Sequence, residues 1–325
     1  MESKTKNKQT RQQIESMAVR AFNGMGLAGG DGAISELKEG WFNVAYQVRL
    51  ADGREVILKI APPKGAEVMS YEKSIMDTEV SSMRLVRQNS RIPVPEIYYF
   101  DNARDLCDAD YFFMEKLTGH NLEHVSASLA PEVRAQVEFQ VGEIIREING
   151  FTGTYFGYPG NPDLRASTWK EAYLKMVDSV LADGRQKNAV YGFSEEEIHA
   201  LIGKHVSSLE AIQTPCLVHW DAWNPNIFIQ DGQVTGLLDF ERAFWGDPLM
   251  EAQFRPFFGD IPTNHMRGYG KTEYSFEEEQ RCHLYTLHLG LVMNTECYFR
   301  HYDTDEIYNM SLGIITPAME WLKAN

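Results

Sequence analysis

The stretch from Cys216 to Glu241, CLVHWDAWNPNIFIQDGQVTGLLDFE, constrains the fold of this chain more tightly than any other. Two short apolar runs, Ile227 to Gln230 and Val234 to Leu238, flank Asp231-Gly232-Gln233, a glycine-containing three-residue loop of the kind that closes β-hairpins. With Gln230 opposite Val234, Asn226 falls opposite Leu238 and Asp239 lies beside it at the open end. The hairpin thereby joins an amide oxygen and a carboxylate, both hard ligands suited to magnesium. Upstream, His219, Asp221 and Asn226 stand in the order H-x-D-x-x-x-x-N, which puts Asp221 in the loop feeding the first strand. From average residue usage, roughly one or two chains of this length in a hundred carry that spacing by accident. Requiring the hairpin and Asp239 as well makes coincidence about tenfold rarer.

The rest of the chain divides by pattern. Ile14, Met17, Ala18, Ala21 and Phe22 recur at helical spacing ahead of the glycine-rich run Gly24 to Gly32. Three strands are then predicted, Ala33 to Glu39, Val44 to Leu50 and Glu55 to Ile60, joined by turns at Gly40 and at Ala51-Asp52-Gly53 into an antiparallel meander. In the third of them Val56, Leu58 and Ile60 face one way, Ile57 and Lys59 the other. A helix is expected over Tyr71 to Gln88, followed by apolar runs at Ile97 to Phe100 and Tyr111 to Met114. From Leu117 onward helices dominate: Pro131 to Asn149, Trp169 to Ala182, Ser194 to Ile212 with a Ser194/Glu197 capping box, and the tail from Glu277 to Leu322. This change sets a boundary near Lys116, between a strand-rich unit at 1–116, whose residues 1–10 are expected to be disordered, and a helical unit at 117–325.

His219-Trp220-Asp221 through Asn226, followed by Asp239-Phe240, resembles the catalytic loop and metal segment of the protein-kinase-like fold. The similarity is greater to its small-molecule branch, the aminoglycoside phosphotransferase and choline kinase group. The resemblance implies an α+β, bilobal architecture: a small antiparallel-sheet lobe that clamps a nucleotide, and a larger, mainly helical lobe carrying the catalytic loop. It also implies ATP, or GTP, with Mg2+ as cofactors, and transfer of the terminal phosphoryl group to a hydroxyl of a small molecule. By matching position, Asp221 and His219 become the catalytic residues, Asp221 as the base and His219 in support of the loop, with Asn226 and Asp239 as metal ligands.

Other segments extend the likeness. Val56-Ile57-Leu58-Lys59 is similar to the family's phosphate-contacting lysine strand, with Glu79 as the expected helix partner and Glu72 as its competitor. The turn Glu39-Gly40-Trp41-Phe42-Asn43 takes the place of the phosphate-covering loop, though it is not G-x-G-x-x-G, and offers Gly40 and Asn43 as nucleotide contacts. Phe112 to Leu117 resembles the hinge, where the backbone of Glu115 and Leu117 would meet the adenine edge with Met114 behind it. Gly246-Asp247-Pro248 resembles the GDP segment that follows the hairpin in the family.

Two departures separate the chain from protein kinases. About 65 residues with two predicted helices lie between Gly150 and Pro215, an insertion suited to a substrate pocket, and Asp239-Phe240-Glu241 stands where protein kinases have Asp-Phe-Gly, with no A-P-E segment after it. The balance of 31 Lys plus Arg against 46 Asp plus Glu, net -15, argues against nucleic acid as a partner and favours a cationic one, which together with the resemblance implies an amine-bearing acceptor such as an aminoglycoside. Amino sugars, choline-like alcohols and modified sugars are alternatives on the same scaffold, as is a nucleotide-binding pseudokinase, and the setting could be antibiotic resistance or metabolism.

Four cysteines without a C-x-x-C pair, a polar N-terminus without an apolar leader, and no apolar run of 18 residues lead to the expectation of a cytoplasmic protein with no membrane partner. His301-Tyr302-Asp303 repeats the H-x-D pattern, and His283 with His288 do not share a helix face, so a metallohydrolase is not expected. The acidic runs at Glu195 to Glu197 and Glu277 to Glu279 read as helix starts.

Overall fold

The structure, a computed structural model, describes residues 6–38, 42–255 and 261–325. Helix α1 (Arg11–Ala21) opens on a capping box in which the Thr10 hydroxyl accepts the Gln13 N–H. Strands β1 (Ile34–Leu37), β2 (Val44–Arg49) and β3 (Glu55–Ile60) form the expected meander. After helix α2 (Ile75–Asn89), strands β4 (Ile97–Asp101) and β5 (Tyr111–Glu115) complete a five-stranded antiparallel sheet in the order β1-β2-β3-β5-β4. Alternation along β3 puts Val56, Leu58 and Ile60 into a core with Ile14 and Met17 of α1. Ile57, on the other face, packs with Met76, Val80 and Met83 of α2. That second core continues without a break into Val137, Val141 and Ile145 of the helical part.

The helix predicted from Tyr71 begins four residues later. Ser70–Glu72 is a single 3-10 turn, and Ser74, at φ +49°, separates it from α2. The chain just ahead of the helix is tied down by side-chain acceptors. The Met69 N–H donates to the Glu72 carboxylate at 2.8 Å, and the Ser70 N–H and hydroxyl both donate to Asp183, each at 2.7 Å, so these groups have partners without a helix.

The chain crosses to the helical part between Glu115 and His120. There follow β6 (His120–Asn121), α3 (Leu122–Val125), α4 (Pro131–Ile148, with proline in its first turn) and α5 (Trp169–Lys187). Helix α6 (Glu195–His205) has the predicted capping box but gives way to a 3-10 turn at Val206–Ala211. Strand β7 (Cys216–Val218) precedes the hairpin β8 (Ile227–Gln230) and β9 (Gln233–Leu237), and β10 (Phe244–Gly246) returns to pair with β7. Helices α7 (Asn264–Tyr269), α8 (Phe276–Arg300) and α9 (Glu306–Ala324) close the chain. The helical tail consists of two long helices: His301, at φ +51°, ends α8, and the second H-x-D pattern is the corner between them. Trp169, Tyr173, Leu284, Tyr285, Leu291 and Ile315 form the core of this part. Among the described residues, no helix is long and apolar enough to cross a membrane.

Candidate active site

The hairpin sets the site, though by a different register at its tip than expected. Gln230 pairs with Gln233, not Val234, because Asp231 (φ +52°) and Gly232 (φ +75°) make a two-residue turn. Positive φ at both positions is what a type I′ turn requires, and Asp-Gly suits it. A bulge then adds one residue to β9, at Thr235, whose hydroxyl donates to the Thr118 carbonyl at 3.1 Å. The two differences cancel: Ile227 pairs with Leu237, and the Leu238 N–H donates to the Asn226 carbonyl at 2.8 Å. Asp239 follows directly, in the left-handed region at φ +67°.

Three carboxylates and one lysine meet there. Lys59, projecting from β3, donates to Glu79 of α2 at 2.8 and 2.9 Å, to Asp239 at 2.7 Å and to Glu241 at 3.2 Å. The break after Glu72 leaves Glu79 on the face of α2 that looks at β3, whereas Glu72 pairs with Arg300 of α8. One ammonium cannot neutralise three carboxylates. Burial, offset by Lys59 and reinforced by Asp239 and Glu241, pushes Glu79 up to about 8, and burial with Asp239 pushes Glu241 up to about 7. Burial acts to raise Asp239, but the charge and hydrogen bond of Lys59, with Arg242 adding to them, hold it below the usual carboxylate range. Asn43 donates to Glu241 at 2.6 Å, placing the residue before β2 against the same cluster. Gly40, the other contact expected from that turn, lies outside the described residues.

The loop from His219 to Asn226 is held rigid from behind. His219 is fully buried; its Nε2 bonds the Leu238 carbonyl at 3.0 Å and its Nδ1 accepts the Asp221 N–H at 3.1 Å. Both ring nitrogens are committed to backbone, and burial drives the ring down to about 4, so it stays neutral and braces the loop, in keeping with the supporting part expected of it. Asn226 donates its amide to the Asp221 carbonyl at 2.8 Å and to the Asp221 carboxylate at 3.1 Å, so its amide oxygen is the atom that could accept a cation.

Two further residues carry no motif. Glu251 is fully buried and accepts three donors: the His219 N–H at 2.8 Å, the Trp220 N–H at 2.9 Å and the Asn149 amide at 3.0 Å. It holds Trp220 at φ +66°, a costly conformation for a bulky residue. The available signal was a lone carboxylate in the apolar run Leu249-Met250-Glu251-Ala252, which demands buried partners. Arg242 spans the rings of Tyr71 and Trp220 at 5.9 Å each, donates to Glu296 at 2.7 Å, and opposes the effect of burial on Asp221.

The hinge candidates lie apart from this cluster. Met114 and Glu115 end β5, and the Glu115 N–H donates to the Glu96 carbonyl at 2.8 Å, so a ligand contact there must come from its carbonyl. Leu117 packs over Gly236, where a Cβ would collide with its side chain. Nor do His283 and His288 converge: the first stacks on Trp321 at 4.1 Å, the second on Trp220 at 5.7 Å. Among the described residues, the one group of three or more metal-ligating side chains is Glu79, Asp239 and Glu241, whose oxygens lie within 4.8 Å of one another.

The sequence profile of the phosphotransferase enzyme family matches residues 33–258. A subtelomeric hrmA-associated cluster protein of Aspergillus fumigatus is 30% identical over 125 residues, which cover 38% of this chain and 24% of that protein. The chain thus matches about a quarter of that relative's length. Clavilactone A biosynthesis cluster protein Y of Ampulloclitocybe clavipes is 26% identical over 234 residues, 61% of this chain and 57% of that protein. A Thermobifida fusca structure provisionally classed as a fructosamine-3-kinase superimposes with a TM-score of 0.64 at 19% identity, covering 94% of this chain and 99% of that one. Aminoglycoside phosphotransferase APH(4)-Ia, as a thermostable mutant in ternary complex with ADP and hygromycin B, gives 0.60 at 15% identity over 96% and 97%. At these identities the superpositions establish the protein-kinase-like, bilobal α+β fold.

Proposed function

This chain belongs to the phosphotransferase enzyme family, and on that premise we propose that it transfers the terminal phosphoryl group of ATP to a hydroxyl of an amine-bearing small molecule. The observation that carries the reading is the convergence of Lys59, Glu79, Asp239 and Glu241, from three separate segments, beside a loop that presents Asp221. Phosphoryl transfer asks a protein for positioning and charge compensation rather than covalent chemistry, and these groups supply both.

In this reading the sheet part, residues 1–116, holds the nucleotide, with Asn43 near the phosphates and the Met114–Leu117 segment at the base. Lys59, oriented by Glu79, contacts the phosphates. Asn226 and Asp239, with Glu241 adjoining, would hold magnesium; an amide oxygen and clustered carboxylates are the hard donors that ion selects, and when bound it neutralises phosphate charge. Asp221 accepts the proton of the acceptor hydroxyl. The acceptor then lies against residues 117–325, where Tyr158 of the 150–215 segment packs on Tyr71 at 5.5 Å. An amine on it is supported by the net charge of -15 and by Asp239, Glu241 and Glu296, whose charges all raise the pKa of Asp221.

The metal assignment has its own test. Calorimetry of ATP binding with and without Mg2+ should show metal-dependent affinity that Asp239→Ala weakens, because the substitution removes the carboxylate next to Asn226. Equal affinities in both proteins at saturating metal would remove Asp239 from the site.

A further inference from the structure

Glu72 and Arg300, absent from the chemistry above, form a buried ion pair whose side chains are 1% and 3% exposed, joining the segment before α2 to the end of α8. Each partner belongs to a chain of contacts that ends at the active site. On one side, Tyr71 donates to Glu296 at 2.6 Å, on the same oxygen that receives Arg242 at 2.7 Å, and Arg242 couples to Asp221. On the other, the Arg300 guanidinium lies 4.1 Å above the Phe42 ring, the next residue, Asn43, donates to Glu241 at 2.6 Å, and Glu241 accepts Lys59 at 3.2 Å. The pair therefore closes a loop of contacts between the acceptor-side arginine and the phosphate-side lysine.

The segment that carries Glu72 is fastened to the helical part along its length. Met69 and Tyr71 sit in the core of α5 and α8 rather than in either core of the sheet. Ser70 donates twice to Asp183 at 2.7 Å, its carbonyl accepts from Asn161 at 2.8 Å, and Lys187 reaches Glu67 at 2.7 Å. Gly160 lets the carbonyls of Lys73 and Ser74 approach so closely that a Cβ there would collide with them. Helix α2 begins three residues after Glu72 and delivers Glu79 to Lys59, so where this segment is pinned fixes where Glu79 stands.

We propose that Glu72 and Arg300 are positioning residues for phosphoryl transfer, a clasp between the two lobes that holds α2, and through it Glu79 and Lys59, in register with Asp221. The inference rests on the kinase reading and deepens it. With the clasp intact, Glu79 and Lys59 are set in place before a nucleotide arrives; without it, ordering α2 is charged to nucleotide binding, which lowers affinity.

The test uses the full chain and the variant Glu72→Gln/Arg300→Gln, which removes both charges and leaves no buried ion without its partner. Calorimetry with Mg2+ and ATP should show affinity weakened by about 5-fold to 50-fold, within the usual range for coupled sites. Hydrogen exchange over residues 75–83 should speed up in the same variant. Arg300→Lys, which keeps the charge, should recover most of the affinity. Unchanged affinity and unchanged exchange in the double variant, even with a lowered melting temperature, would make the pair merely structural and overturn the inference while leaving the kinase reading intact. Failure of the unaltered chain to bind ATP would overturn both.

Discussion

Asp221→Asn should lower turnover about a hundredfold to ten-thousandfold while nucleotide affinity changes little, the signature of a positioned base that touches the acceptor and not the nucleotide. Asparagine preserves size and can still meet Asn226, so the loss reports the missing base rather than a rearranged loop. The wild-type pH profile carries the same information. Burial pushes the Asp221 carboxyl up to about 7; Arg242 opposes the shift, and Asp239 and Glu241 add to it. The base acts ionised, so kcat/KM should rise with pH through about 7, and the residual activity of Asp221→Asn should lack that limb. Steady-state kinetics of both proteins across this range, with ATP affinity measured alongside, makes the check. Near-normal turnover in the variant would contradict the assignment.

Glu251→Ala should produce the largest loss of stability among single substitutions near the site. It strands the His219 and Trp220 N–H groups and the Asn149 amide in a buried place. Each stranded donor costs about 1–3 kcal/mol, so the total is about 3 kcal/mol or more. In a chain of 325 residues that corresponds to a melting temperature lower by about 4–5 °C or more. Activity should fall as well, because Trp220 is released from its left-handed backbone and the loop bearing Asp221 loses its anchor. Scanning calorimetry measures the first effect and kcat at low temperature the second. A melting temperature within a degree or two of wild type would show that Glu251 is not the anchor.

The groups that were legible in the sequence are those set by local geometry. Strand alternation alone sends Lys59 to the face opposite Val56, Leu58 and Ile60, and hairpin pairing alone puts Asn226 opposite Leu238 with Asp239 next in line. The tip of that hairpin departs from simple pairing because the bulge at Thr235 is anchored by Thr118, a contact over 117 residues of chain. Distance along the chain hid the rest in the same way. The true start of α2 depends on Ser70 meeting Asp183, 113 residues away, and the role of Glu72 depends on Arg300, 228 residues away. Glu251 serves His219 from 32 residues downstream, where no periodicity marks it. Sequence pattern did separate Glu79 from Glu72 correctly as the partner of Lys59, since Glu79 lies within the more regular helical stretch.

Phosphorylation of a hydroxyl on an amine-bearing small molecule is the proposed reaction. The most direct measurement is ADP formation from ATP and Mg2+ over a panel of aminoglycosides, amino sugars, choline and their neutral analogues, with mass spectrometry of each acceptor. Acceptor-dependent ADP formation, together with a product heavier by one phosphoryl group, is expected for at least one amine-bearing compound and not for its neutral analogue. Raising ionic strength should increase the Michaelis constant of that compound, because exposed charges are screened over about 8 Å at physiological salt. ATP bound tightly but no acceptor turned over, or a neutral analogue phosphorylated best with no effect of salt, would contradict it.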